Sequence, residues 1–206
     1  MRPGPSAFAR PDCAQQCPGA GMHGGPCGTC EMGTNPGRTH RFYTGAAVLP
    51  FGYGLSYTRW SYAAAASTSG PISLAPVRGV LERTQAAGRT FPSSDMLEAA
   101  EPPVSFEVNV TNLGDMPADD VVLGFMVPPG AGKDGVPLQT LFGFERVHVP
   151  AGATVLVNLY PEHTEFMTTL EDGSKWVAAG EYTVRIGVQE TAAHGQGYAE
   201  LRLSTY

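Results

Sequence analysis

Short runs of alternating side chains govern what the second half of this chain can fold into. Val104, Phe106, Val108 and Val110 are interleaved with Ser105, Glu107, Asn109 and Thr111. That is the period of two expected of a strand with one face buried. Asn112-Leu113-Gly114-Asp115 supplies a turn, and Val121, Leu123, Phe125 and Val127 alternate again. Pro128-Pro129-Gly130 ends that run. Leu138 to Val149, Thr154 to Tyr160, Phe166 to Leu170, Lys175 to Ala178 and Tyr182 to Val188 read as further strands, with Leu201 and Leu203 as a terminal edge. Glu171-Asp172-Gly173 is an Asp-Gly hairpin signal. No helix-length apolar pattern competes in this half.

About seven short strands at regular spacing predict an all-β, immunoglobulin-like sandwich over residues 103–206. The first half reads differently. Gly and Pro number 26 and 18, a large excess that marks long irregular stretches. Residues 1–37 are Gly- and Pro-rich and carry too little apolar surface to offset the entropy of ordering them. Residues 38–62 are dense in aromatic rings and punctuated by glycines, the mark of a strap lying flat on a folded surface. Residues 63–102 return to Ala, Ser, Gly and Pro, with a short apolar patch from Val77 to Leu81, and read as a linker or insertion.

The net charge of −6 comes with scattered basic residues, which gives no footprint for nucleic acid. No run of about eighteen apolar residues suggests a membrane span. Met1-Arg2-Pro3-Gly4-Pro5 leads into no apolar h-region, so no signal peptide is expected here.

Several side chains invite a chemical reading. Cys13, Cys17, Cys27 and Cys30 are spaced C-x3-C-x9-C-x2-C, with His23 between the pairs. Four thiolates can hold a tetrahedral zinc, although the nine-residue spacer is short for a zinc ribbon and little apolar sequence surrounds it. The expectation is an irregular tail without a metal or other cofactor; zinc binding or two disulfides are the alternatives. Asn109-Val110-Thr111 is an N-glycosylation sequon, and alternation puts Asn109 on the polar face of its strand. Arg41, Phe42, Tyr43, Phe51, Tyr53 and Tyr57 form the strap's side-chain set. Domain packing is the expectation for them, and a sugar-stacking platform the alternative. Glu162, Glu165, Glu171 and Asp172 cluster near the late hairpin, where a solvated edge explains them more simply than acid/base catalysis. His148 alternates out of step with Val147 and Val149 and is expected to face solvent.

Two stretches carry a resemblance. Pro36-Gly37-Arg38-Thr39-His40-Arg41-Phe42-Tyr43-Thr44-Gly45, followed by Pro50-Phe51-Gly52-Tyr53-Gly54-Leu55-Ser56-Tyr57-Thr58, resembles paired runs of glycoside hydrolase family three, its β-xylosidase branch above all. His40 stands where an aromatic Tyr is usual. Val108-Asn109-Val110-Thr111-Asn112-Leu113-Gly114-Asp115, Leu141-Phe142-Gly143-Phe144-Glu145-Arg146-Val147 and Gly180 to Gly187 are similar to the fibronectin type III-like domain of the same enzymes. The resemblance covers about 35–60 and 104–190.

The resemblance implies a parent enzyme of three domains: a TIM-like barrel, an α/β sandwich and this β-domain. It implies retaining hydrolysis of glycosides, such as those of xylan, by two carboxyl groups. It places the nucleophile in a Ser-Asp-Trp context on the barrel and the acid/base on the second domain. Ser94-Asp95 is followed by Met96 rather than Trp, and no apolar strand precedes it. No catalytic residue is therefore assigned in this chain. Its expected role is accessory, with the parent's catalytic domains as partner; a stand-alone carbohydrate-binding or protein-interaction module is the alternative. The resemblance also implies an exported protein.

Overall fold

The computed structural model describes residues 37–67, 70–98, 103–169, 173–188 and 198–206. Their centre is a pair of antiparallel sheets packed face to face. One holds three strands in the order β1 (Trp60–Ala66), β2 (Phe106–Asn112), β5 (Thr154–Leu159). The other holds four, in the order β4 (Thr140–Val149), β3 (Ala118–Val127), β8 (Glu181–Gly187), β9 (Tyr198–Ser204). A small hairpin of β6 (Met167–Thr169) and β7 (Lys175–Val177) stands beside them. This is the all-β sandwich that the alternation predicts, and the chain crosses between sheets after β2, β4 and β5.

Strand β2 shows why the sequence folds this way. Phe106, Val108 and Val110 are fully buried between the sheets, while Glu107 and Asn109 face water. Each such buried side chain contributes roughly 1.5–3 kcal/mol of apolar burial. A one-residue slip would bring the polar set into the core, so the register is fixed. From the facing sheet, Val122, Met126, Tyr182, Val184 and Ile186 complete the core.

Strand β3 departs from simple alternation. Residues 122–126 are buried without interruption. Val122 and Met126 join the core between the sheets, whereas Leu123 and Phe125 join Val188 in a second apolar cluster, with Tyr53 and Leu141 packed against it. The strand is covered on both faces. The β3–β4 register shifts between Gly124 and Phe125, and a Cβ at Gly124 would lie 2.6 Å from the Phe142 ring. Glycine here lets the ring close over the strand.

The sandwich begins earlier than expected. Strand β1 pairs with β2 along its whole length, from Trp60↔Asn112 to Ala66↔Phe106. The end of the strap (38–62) and the start of the linker (63–102) therefore belong to the three-stranded sheet. The expected linker also contains helix α2 (Ala75–Ala86), which places Val77, Val80 and Thr84 on one buried face. Before it, Ile72 forms a parallel bridge with Thr205. Ile72, Leu74 and Val77 are part of the main core, so this segment closes one side of the sandwich.

The Asp-Gly hairpin signal falls partly outside the described residues. Its flanking strands pair as expected, from Met167↔Val177 to Thr169↔Lys175.

Candidate functional site

The strap is anchored by backbone and rings together. Its first turn is helix α1 (Thr39–Phe42), in which the Tyr43 N–H donates to the Thr39 carbonyl at 2.9 Å. The Leu138 N–H donates to the Arg41 carbonyl at 2.6 Å, tying the strap to the β3–β4 loop. Further on, the Tyr53 N–H donates to the Pro50 carbonyl at 3.1 Å across a turn that holds Gly52 at φ +83°. Any side chain at Gly52 would meet Leu123, so the backbone itself rests on the sheet.

Phe51, though half exposed, ties the strap to the sheet by its ring contacts. Its ring stacks on His40 and meets the Phe125 edge at a centroid separation of 6.1 Å. Burial, followed by the Arg41 charge, lowers the pKa of His40 below the ordinary imidazole value. Tyr53 packs on the same apolar cluster. Other strap side chains stand in water: Val48 and Leu55 are each 93% exposed and Tyr57 is 97% exposed.

The expected strap residues thus separate into three groups. Phe51 and Tyr53 cover the outer face of the four-stranded sheet. Tyr57 projects into water, and Tyr43 folds back beside Gly45. Arg41 and Phe42 face a cavity of about 420 Å³ at one end of the sandwich.

That cavity lies between α1, the β3–β4 loop and the β6–β7 hairpin. Phe91, Glu165 and Lys175 line it together with Arg41 and Phe42. The Arg41 guanidinium sits 5.5 Å from the Phe42 centroid, and Lys175 Nζ sits 4.7 Å from the Phe91 centroid. Lys175 Nζ also donates to Thr169 Oγ1. Burial, then the Arg41 charge, lowers the Lys175 pKa. Burial and the Glu162 charge raise the Glu165 pKa, against a smaller opposing pull from Arg41. Neither Phe91, in the expected linker, nor Lys175, after a turn, carries a sequence signal that would bring them together.

Of the late acidic cluster, Glu162 is exposed, Glu165 forms part of the cavity wall, and Glu171 and Asp172 lie outside the described residues. Ser94 and Asp95 are exposed on a short helix, α3 (Ser94–Glu98), and bond to each other at 3.5 Å. His148 faces solvent and meets Asp119 at 2.7 Å, beside an Arg146–Asp119 pair. Asn109 is exposed on the outer face of β2. Cys13, Cys17, Cys27 and Cys30 lie outside the described residues. Among the described residues, no three His, Cys, Asp or Glu side chains form a metal-binding group, and no helix is long and apolar enough to cross a membrane.

The chain is 35% identical over 157 residues to an exo-1,4-β-xylosidase of Emericella nidulans, a match covering 76% of this chain and 18% of that protein. It is 31% identical over 159 residues to β-D-xylosidase 1 of Arabidopsis thaliana, covering 75% and 20%. The chain is a homologue of the family-three glycoside hydrolases. It spans about a fifth of the length of these relatives. Among solved structures, a β-glucosidase from Erythrobacter marinus superposes with a TM-score of 0.56 at 24% identity, covering 82% of this chain and 18% of that one. The β-D-glucoside glucohydrolase of Trichoderma reesei gives 0.54 at 18% identity, covering 77% and 20%. These two likenesses establish the fold. No protein-family model matches the chain.

Proposed function

We propose that this chain is the accessory β-sandwich end of a β-xylosidase-like family-three hydrolase and that its strap holds it against the parent's catalytic domains. The observation that carries the reading is that the strap is docked on the sheet yet leaves large apolar side chains in water. Phe51, Gly52 and Tyr53 meet the sheet, whereas Val48, Leu55 and Tyr57 stand almost fully in water. Large apolar side chains left in water along one short segment mark a candidate interaction site. The similarity to xylosidases several times longer supplies the partner's class.

The test is reconstitution. The matched C-terminal portion is deleted from the Emericella nidulans xylosidase, and the 206-residue chain is added in its place. The chain alone should not hydrolyse aryl β-xyloside, while the mixture should recover activity or thermal stability. A Leu55→Glu, Tyr57→Ser variant should fold normally but fail to rescue, because both side chains lie outside the core. Turnover by the chain alone, or equal rescue by the variant, overturns the proposal.

A further inference from the structure

The cavity at the end of the sandwich has features that packing does not require. It brings together two cations from segments far apart in sequence, Arg41 from the strap and Lys175 from β7. Each is held against a ring rather than a carboxylate: Arg41 by Phe42 and Lys175 by Phe91. Among the described residues, neither takes part in an ion pair. The one carboxylate in the wall, Glu165, has its ionisation disfavoured by burial and by Glu162. Positive charge therefore exceeds negative charge within the cavity. The ring contacts fix where the cations sit before any ligand arrives.

The remaining wall is suited to hydroxyl groups. Thr140, Thr164 and Thr168 line it, each able to donate and accept, while Met167, Pro128 and Pro137 provide apolar surface. A cavity of about 420 Å³ lies within the usual range for a small-molecule site. A simple inorganic anion would leave the threonines and the apolar wall unused. A neutral sugar would leave the positive charge of exposed Arg41 and half-buried Lys175 unmatched.

We propose that this cavity binds a carboxylate-bearing sugar, a uronate, with Arg41 and Lys175 taking the carboxylate and Glu165 and the threonines taking ring hydroxyls. Guanidinium and ammonium donors form the stronger, charge-assisted hydrogen bonds to a carboxylate. Glu165 offers the acceptor that a sugar hydroxyl needs. The site rests on the cavity alone, not on the parent's activity or on docking through Leu55 and Tyr57.

The experiment is a calorimetric and amide-NMR titration of the full chain with methyl β-D-glucuronoside, methyl β-D-glucoside and acetate. The first two differ in carrying a carboxylate or a hydroxymethyl group. The glucuronoside should bind about tenfold or more tightly than either control, and shift amides of α1 and the β6–β7 hairpin. Arg41→Gln and Lys175→Gln should each weaken it about tenfold while leaving the glucoside signal and the melting temperature unchanged. The proposal is overturned by three results: no glucuronoside binding, equal binding of glucoside or acetate, or amide shifts confined to other parts of the sandwich. The reconstitution above uses neither cation, so the two readings fail independently.

Discussion

Phe51 stacks on His40 with ring centroids 4.1 Å apart, and both rings meet Phe125 of β3. This contact joins the two resembling runs of the strap to the sheet and turns an irregular segment into part of the fold. Gly52 is its tightest point. Its φ of +83° lies in the left-handed region, and a side chain there would overlap Leu123. Gly52→Ala should therefore destabilise the chain by about 2–3 kcal/mol, combining the left-handed penalty with overpacking. Urea denaturation should show a lower midpoint with the same slope. An unchanged midpoint would mean that the strap is not docked in solution.

Asn112 gives the sharpest stability prediction in the sandwich. It is fully buried at the end of β2. Its amide donates to the Met116 carbonyl at 2.7 Å and to the Val149 carbonyl at 3.1 Å. Its oxygen accepts from the Gly114 N–H at 3.0 Å and from the Thr58 hydroxyl. One side chain thus links the β2–β3 turn, the end of β4 and the segment before β1. Asn112→Leu leaves several polar groups unpaired and should cost at least about 3 kcal/mol. Thr58→Val removes only one of these bonds and should cost about 1 kcal/mol. Equal losses in the two variants would mean that Asn112 is not the hub.

The contrast between β2 and β1 shows what the sequence could reveal. Large apolar residues at every second position announce β2, and the buried set is Phe106, Val108 and Val110 as the alternation requires. Strand β1 reads Trp-Ser-Tyr-Ala-Ala-Ala-Ala, and its alanines have the same character on the buried and exposed faces. Alanine also favours helix in isolation, so only pairing with β2 selects the strand. Helix α2 gives a weak sequence signal because its buried stripe is narrow: Val77, Val80 and Thr84, with only Leu81 packed beside them among Arg78, Gly79, Glu82 and Arg83. Of the strap's aromatic set, Phe51 and Tyr53 contact the sheet, while Tyr43 and Tyr57 are exposed and Phe42 lines the cavity. The cavity was not legible in the sequence, because Arg41, Phe91 and Lys175 meet only through the tertiary fold.

Two histidines should make the fold sensitive to mild acid. Burial, then the Arg41 charge, lowers the His40 pKa. For His163 the causes are burial and then Arg83, opposed by Glu162. His163 is 2% exposed, and its Nε2 has no hydrogen-bond partner among the described residues. In both cases the unfolded chain binds a proton more readily than the folded one. Their contribution is complete above the unfolded value of about 6.5 and is lost as pH falls through the lower folded values. The raised pKa of Asp120 and Glu165 acts in the opposite sense, stabilising at lower pH and losing effect as pH rises through the carboxylate range. The melting temperature should fall between about pH 7 and pH 5.5, and a His40→Tyr, His163→Leu double variant should fall less steeply. Parallel curves would assign the acid sensitivity to other groups.

Asn109 lies on the middle strand of the three-stranded sheet, opposite Ala63 on one side and Leu156 on the other. Its side chain points to the outer face with Glu107, and Leu156 is 52% exposed beside it. The small Ala63 leaves space, and a glycan here would extend over Leu156 without entering the core. The sequon's Thr111 hydroxyl shares a 2.8 Å hydrogen bond with Thr154 in the folded sheet, so attachment is expected before β2 and β5 pair. Expression of the chain through an N-glycosylating secretory route should give one endoglycosidase-sensitive mass increment at this sequon. Asn109→Gln and Thr111→Val should both abolish it. Asn109→Gln should leave the unglycosylated protein within about 0.5 kcal/mol of its parent, because the residue is exposed. A modified Thr111→Val protein would mean that the glycan sits on another residue, and an unmodified wild-type chain would mean that β2 pairs before Asn109 can be reached.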